Sequence, residues 1–444
     1  MNFQYPNSVA LLMVTLAALP AAAMGQLGFE RPPIDYHNAP THDPVIQLQQ
    51  QLDTGAVTLE FDETHGYLPS LLKTLDVPIS SQVLVFSKTS LQIRHINPQQ
   101  PRAIYFNDNV YIGNTRFGEV FEISTVDPQQ GGIFYTMNQS QTDKPRFVRD
   151  RGQCLTCHAS SRTAGVPGHL VRSVFPDRKG HPIIGSGTFT TDHTSPFTRR
   201  WGGWYVTGTH GSQRHMGNEI VASRIDAEKL DTERGANVTD LSDIVNVKPY
   251  LSPHSDLVAL MVLEHQAQMH NLIARANFET RVAEENDRVM NKMLDRDPDY
   301  RSELTARRID RVVDHLVEYL LYCDEYQLTS PVKGTSDFAQ EFPNRGPHDR
   351  HGRSLRDLDL KTRLMKYPCS YLIYSAAFDQ LPPPAKNRVY QRLTAVLDGT
   401  DESDTFAHLT RSDRQAILEI LTDTKPDLQA FVGETANVSL DLSD

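Results

Sequence analysis

The chain has 444 residues, 22% of them charged, with a formal net charge of -11 at pH 7. That length accommodates two or three domains and several hydrophobic cores. The acidic balance argues against a nucleic-acid partner, which selects a net basic surface, although Arg and Lys do gather between residues 178 and 214.

The first residues read as a targeting segment. Val9 to Ala23 is an apolar run ending in small residues, and Ala21-Ala22-Ala23 offers an A-x-A cleavage site, with Ala23-Met24-Gly25 as a second candidate. The preceding stretch, Met1 to Ser8, carries no Lys or Arg, and the run is too short for a bilayer anchor. A signal peptide over residues 1–25 is therefore expected, with a periplasmic or secreted product. No later segment is long and apolar enough to cross a membrane.

Residues 26–145 read as an N-terminal α+β region. After a Pro-rich lead-in, Asp43-Pro44 supplies an N-cap and an N1 proline, Val45, Leu48 and Leu52 form one apolar face, and Gly55 closes a short helix. A second short helix is predicted over 70–75. Then the period changes. Val83 to Phe86, Ala103 to Phe106, Val110 to Ile112, Val120 to Thr125 and Ile133 to Met137 are β-branched and aromatic runs separated by Asn, Asp, Gly and Pro. Asn107-Asp108-Asn109 marks a hairpin turn, and the whole reads as a small antiparallel sheet with a scaffolding role.

Residues 146–225 carry the most specific chemistry. Cys154-Leu155-Thr156-Cys157-His158 is a C-x-x-C-H run, the spacing that lets two thiols bond the vinyl groups of one porphyrin while the adjacent imidazole ligates the iron. A thioredoxin-like dithiol usually follows a buried strand, whereas the run from Lys144 to Asp150 is mostly polar. A four-ligand zinc site needs a second Cys/His pair at similar spacing, and none follows. One covalently bound haem c with its iron is thus the expected cofactor, held by Cys154, Cys157 and His158. The stretch after the motif is rich in Gly and His, and Trp201, Trp204 and Tyr205 supply flat apolar surface. For the second axial ligand Met216 is the candidate at the usual distance from the motif. His169, His181, His193, His210, His215 and, further on, His265 compete with it.

Residues 226–444 read as helical. A short helix is predicted over 240–245. Leu257 to Ala283 follows, with Met261, His265 and Met269 on one face and Glu264 beside them, either core packing or a distal ligand or acid/base pair. His-Glu-x-x-His is absent, so a zinc-protease reading fails. Further helices are predicted over 301–326, 355–365, 369–378, 386–397 and 413–421, with an irregular Gly/Pro/His stretch at 331–353. The spare cysteines, Cys323 and Cys369, suit either one disulfide or two buried thiols.

The fold class expected from these runs is α+β, mainly α-helical, with a c-type haem-binding core and a small N-terminal sheet. The motif resembles that of c-type cytochromes. With the runs Ala103 to Asp108, Val171 to Pro176, Arg200 to Gly208 and Tyr367 to Ser370, the chain is similar to large secreted bacterial cytochrome-c-domain proteins carrying a single C-x-x-C-H. The resemblance implies haem attachment at Cys154 and Cys157 and proximal ligation by His158. The function expected is that of an exported monohaem c-type cytochrome transferring electrons to a redox partner protein or a small donor or acceptor. The alternative is a peroxidase-like haem oxidoreductase with an open or labile distal site.

Overall fold

The computed structural model of the protein describes residues 28–225 and 229–441. The segment read as a signal peptide lies outside them.

Asp43 caps α1 (Pro44–Thr54) by accepting from the amides of Val45 and Ile46, and Gly55 ends it in the left-handed conformation at φ 74°. Such a cap contributes about 1 kcal/mol. Asp43 is fully buried and its second carboxylate oxygen accepts from Tyr135 Oη at 2.8 Å, which ties the helix to the sheet behind it. After α2 (Leu68–Thr74) come six strands: β1 (Val83–Val85), β2 (Arg102–Phe106), β3 (Val110–Asn114), β4 (Val120–Asp127), β5 (Gly131–Asn138) and β6 (Phe147–Arg149). Asn107 builds the β2–β3 turn as anticipated, its side-chain oxygen accepting from the amides of Asn109 and Val110.

The expected fold class is overturned here. The sheet is a seven-stranded antiparallel one in the order β6-β5-β4-β3-β2-β1-β9, where β9 (Trp204–Tyr205) follows α3 (Leu155–His158), β7 (Val171–Val174) and β8 (Thr188–Thr191). It spans residues from 83 to 205 and encloses the C-x-x-C-H segment in sequence. The fold is a mixed α/β one organised on a large sheet, not a helical haem core with a small sheet in front. The physical reason is that Leu84 pairs with Tyr205 and Val85 with Trp204, across more than a hundred residues of chain. β7 and β8 form a separate hairpin, and β10 (Gly208–Thr209) pairs with β11 (Lys333–Gly334).

The two faces of the sheet serve different cores. Ala103, Tyr105, Ile112, Phe121, Ile123, Ile133, Tyr135 and Met137 pack against α1 and α2. The opposite face meets α4 (Leu257–Met293), a 37-residue helix, roughly 55 Å long at 1.5 Å per residue. Asp256 caps it through the amides of Val258 and Ala259. Behind α4 stand α5 (Glu303–Leu320), the short α6 (Phe338–Glu341) and α7 (Ala376–Asp379), then α8 (Pro383–Leu397), α9 (Arg411–Thr424) and α10 (Pro426–Asp441). The helix expected over 240–245 is a turn in which Leu241 O accepts from Ile244 and Val245. The one expected over 355–365 is irregular, closed by a Leu358–Met365 bridge. Cys323 and Cys369 are buried free thiols, and Cys323 Sγ donates to Thr405 O at 3.4 Å. Among the described residues no helix is long and apolar enough to cross a membrane.

Candidate functional site

A cavity of about 630 Å³ lies between the α4-facing side of the sheet and α4 itself, within the range of small-molecule and cofactor sites. Its floor is set by strand register. Ile104, Gly113, Glu122 and Thr136 form one cross-strand row and Tyr111, Ser124 and Phe134 the next, all on the same face because side chains alternate along each strand. Gly113 keeps the floor low: a Cβ there would stand 3.3 Å from Glu122 O. Leu263 and Ala267 of α4 cover one side, residues 88–91 another, and Cys154, Cys157 and His158 a third.

The motif is held in place by its own backbone. Asp150 accepts from the amides of Gly152 and Cys154 at 3.0 and 2.9 Å, and the single turn of α3 carries Cys157 and His158 from there. Cys154 is half-buried and Cys157 exposed. Burial, reinforced by Asp150, pushes the Cys154 thiol up to about 12. Reactive dithiols have a lowered thiol pKa, so this environment opposes the thioredoxin-like alternative.

His158 is oriented by a second loop. Its Nδ1–H donates to Gly168 O at 2.9 Å, and Gly168 N donates back to His158 O at 2.8 Å. An imidazole so fixed presents Nε2 as its free lone pair, the arrangement by which ligating histidines are aimed. Burial holds His158 below its ordinary value, with Arg102 acting in the same direction, so it is neutral and able to bind a metal. Gly168 is required: a Cβ would fall 2.0 Å from Asn271 Oδ1, which accepts from His169 N while Asn271 Nδ2 donates to His169 O. The loop is thereby clamped between α4 and the start of β5, where Gly132 N donates to Pro167 O.

The lining suits a large planar anion. Ile104, Phe134, Val171, Trp204 and Leu263 supply apolar surface, and Lys88, Arg102 and Arg172 bring cations. Arg102 and Arg172 each keep a buried Nε–H without a hydrogen-bond partner, although Arg102 pairs with Glu122. Unpaired buried donors cost about 1–3 kcal/mol each, and two carboxylates such as haem propionates would satisfy them. Among the described residues no group of three or more His, Cys, Asp or Glu could hold a bare metal ion; haem iron needs only one or two ligands from the chain.

Of the sequence candidates, the structure brings Cys154, Cys157, His158 and His169 to the cavity. Met216 is not brought there: it packs with Phe175 and Val221 and accepts from Ser173 Oγ at 3.5 Å. His210 accepts from Asn237 N and His215 from Gly217 N, both away from the cavity. His193 and His265 share an Nδ1–Nδ1 hydrogen bond of 2.8 Å inside the helical core, and His265 Nε2 meets Ser370 Oγ at 2.7 Å. Reading the sheet as mere scaffold missed Arg102, Tyr111 and Glu122. The available signal was charge at Arg102 and Glu122 on the same alternation as strand residues turned inward.

Beside the histidine pair, Glu264 is fully buried against Arg200 at 3.1 Å. Burial outweighs Arg200 and raises its carboxyl from 4.5 to about 7. With the folded value raised, its contribution is full below pH 4.5 and lost as pH rises through about 7. Glu264→Gln should therefore gain on the wild type by on the order of 3 kcal/mol between pH 4.5 and 8, measured by urea unfolding across that range; parallel pH profiles would contradict it.

Compared with known proteins, the chain matches no family model, no curated protein and no solved structure.

Proposed function

We propose that the protein is an exported monohaem c-type cytochrome, with haem c bonded through Cys154 and Cys157, ligated by His158, and exchanging electrons with a redox partner at the motif's exposed edge. One observation carries this reading: both cysteines and His158 stand on one wall of a haem-sized, cation-bearing cavity, with His158 Nδ1 already committed to Gly168 O. When bound, the haem supplies one-electron chemistry. The chain's part is to fix the imidazole, pair the propionates with Lys88, Arg102 and Arg172, and keep bulk water from the buried side through Leu263, Ala267 and Phe134. Gln153, Thr156 and Cys157 are exposed and give a partner access to the edge.

Spectroelectrochemical titration of the purified holoprotein tests this. A reversible one-electron wave is expected. His158→Met, which exchanges imidazole for thioether, should raise the potential by on the order of 0.1 V, a fraction of the ~0.8 V range that axial ligands control. An unchanged potential and spectrum in that variant would remove His158 from the iron.

A further inference from the structure

We propose that the rim of the cavity is a docking surface for a redox protein that presents acidic groups around an apolar centre; this rests on the haem reading above and names the partner's chemistry. The apolar part is built by two turns at one end of the sheet. Gln92 Nε2 donates to Val120 O, and its Oε1 accepts from the amides of Glu119 and Val120, so the β1–β2 connection is fastened to the β3–β4 turn. Gly118 allows that closeness, since a Cβ there would meet Gln92 Oε1 at 2.5 Å. On either side of the buried Gln92, Leu91 is 40% exposed and Ile93 47%, and on the joined turn Phe117 is 69% exposed. Leu91 also lines the cavity. Three large apolar side chains thus stand in water on a fixed platform beside the mouth of the site, the composition of an interface centre.

Cations surround that centre. Lys88, Arg94 and Arg116 stand on the same two turns with Glu119 as their one acid, and the Arg116 guanidinium lies over the Phe117 ring at 4.5 Å. On the motif side, residues 151–172 contain Arg151, Arg162 and Arg172 and no acid. Asp150, just before them, is turned to the amides of Gly152 and Cys154. Arg162 and Cys157 both lie within charge range of Arg172, which lines the cavity. Arg94, Arg116, Arg151 and Arg162 are exposed, and among the described residues none of them is paired with a carboxylate. The chain as a whole carries -11, so the rim is opposite in sign to the rest of the molecule. An acidic protein is therefore drawn to the motif's edge and repelled elsewhere, which orients the encounter, whereas a basic one is drawn to the wrong faces. A small anion would meet the cations but gain little from Leu91, Ile93 and Phe117, so the apolar centre favours a protein.

The test is stopped-flow oxidation of the reduced holoprotein by three probes: an acidic blue-copper protein, a basic cytochrome of similar potential, and ferricyanide. At low salt the acidic protein should react about tenfold or more faster than the basic one. Raising the salt from about 10 to about 300 mM should slow the acidic protein and not the basic one. The double variant Arg94→Glu, Arg116→Glu should lose most of that advantage and its salt dependence. Phe117→Ser should slow the acidic protein about fivefold while leaving ferricyanide unchanged. Both variants should keep the wild-type midpoint potential and c-type haemochrome, which shows that fold and haem are intact. Equal rates for the two proteins, a faster basic partner, or a double variant that reacts like the wild type would overturn the proposal. A Phe117→Ser protein that still reacts with the acidic partner at the wild-type rate would also overturn it, leaving a rim that serves small anions only. A pyridine haemochrome without the c-type band sinks the haem reading itself, whereas the band together with any of those rate results sinks the docking surface alone.

Discussion

Replacing both Cys154 and Cys157 by Ser should abolish covalent haem retention: haem extracted by acidified acetone should rise from none to all of that bound, and haem stain on denaturing gels should vanish. Each single variant should keep one thioether and remain stained. The expectation is sharp because the substitutions are conformationally mild. Cys157 is exposed and Cys154 half-buried at the cavity rim, and the turn that carries them is held by Asp150 and by the Cys154 carbonyl, which accepts from Cys157 N and His158 N. Folding should therefore survive with a loss below about 1 kcal/mol, so that loss of haem reports chemistry and not collapse. Haem that stays covalently bound in the double variant would contradict the role given to these thiols.

Asp256→Ala should produce the largest loss of stability of any single substitution considered. The carboxylate is fully buried. One oxygen accepts from the amides of Val258 and Ala259, and the other from Thr335 N, Ser336 N and Ser336 Oγ. One side chain thus caps α4 and fastens the β11 turn over it, at a point where Leu257 N donates to Thr207 O and Ser255 Oγ to Tyr205 O beside the sheet. Removal strands several buried donors, each costing about 1–3 kcal/mol. The sum is about 4 kcal/mol or more, a large share of the 5–15 kcal/mol that folded domains possess. Gly334 shows how tight the site is, since a Cβ there would meet Asp256 Oδ2 at 2.3 Å. Because α4 also places Leu263 and Ala267 over the cavity, the loss of stability should loosen the cover of the site while leaving covalent attachment unchanged. Urea unfolding of the variant measures the first, and a loss under about 1 kcal/mol would contradict the account.

Local features of the chain were legible in sequence where local chemistry decides them. The Asp43 cap, the Gly55 stop, five of the sheet's strands and the Asn107 turn follow from side chains and neighbours within a few positions. What lay beyond reach was pairing across long separations. Trp204 and Tyr205 read as flat surface for a cofactor, yet they form the edge strand next to β1, and Trp204 also lines the cavity while its Nε1–H holds Arg172 O. Spacing from the motif favoured Met216 as second ligand, but distance along the chain says nothing of which core a loop returns to, and Met216 returns to that of Phe175. The cavity itself was illegible for the same reason. Its floor comes from four strands, its cover from α4, and its histidine is aimed by a glycine carbonyl ten residues on, fixed by Asn271.

One haem is proposed to be carried covalently at Cys154–His158. Its most direct measurement is the pyridine haemochrome spectrum of the wild-type protein matured in a host that attaches haem c, read against protein concentration. The c-type band is expected at one haem per chain, resistant to acid extraction. A protein that emerges without that band, or whose haem is freely extracted, contradicts it.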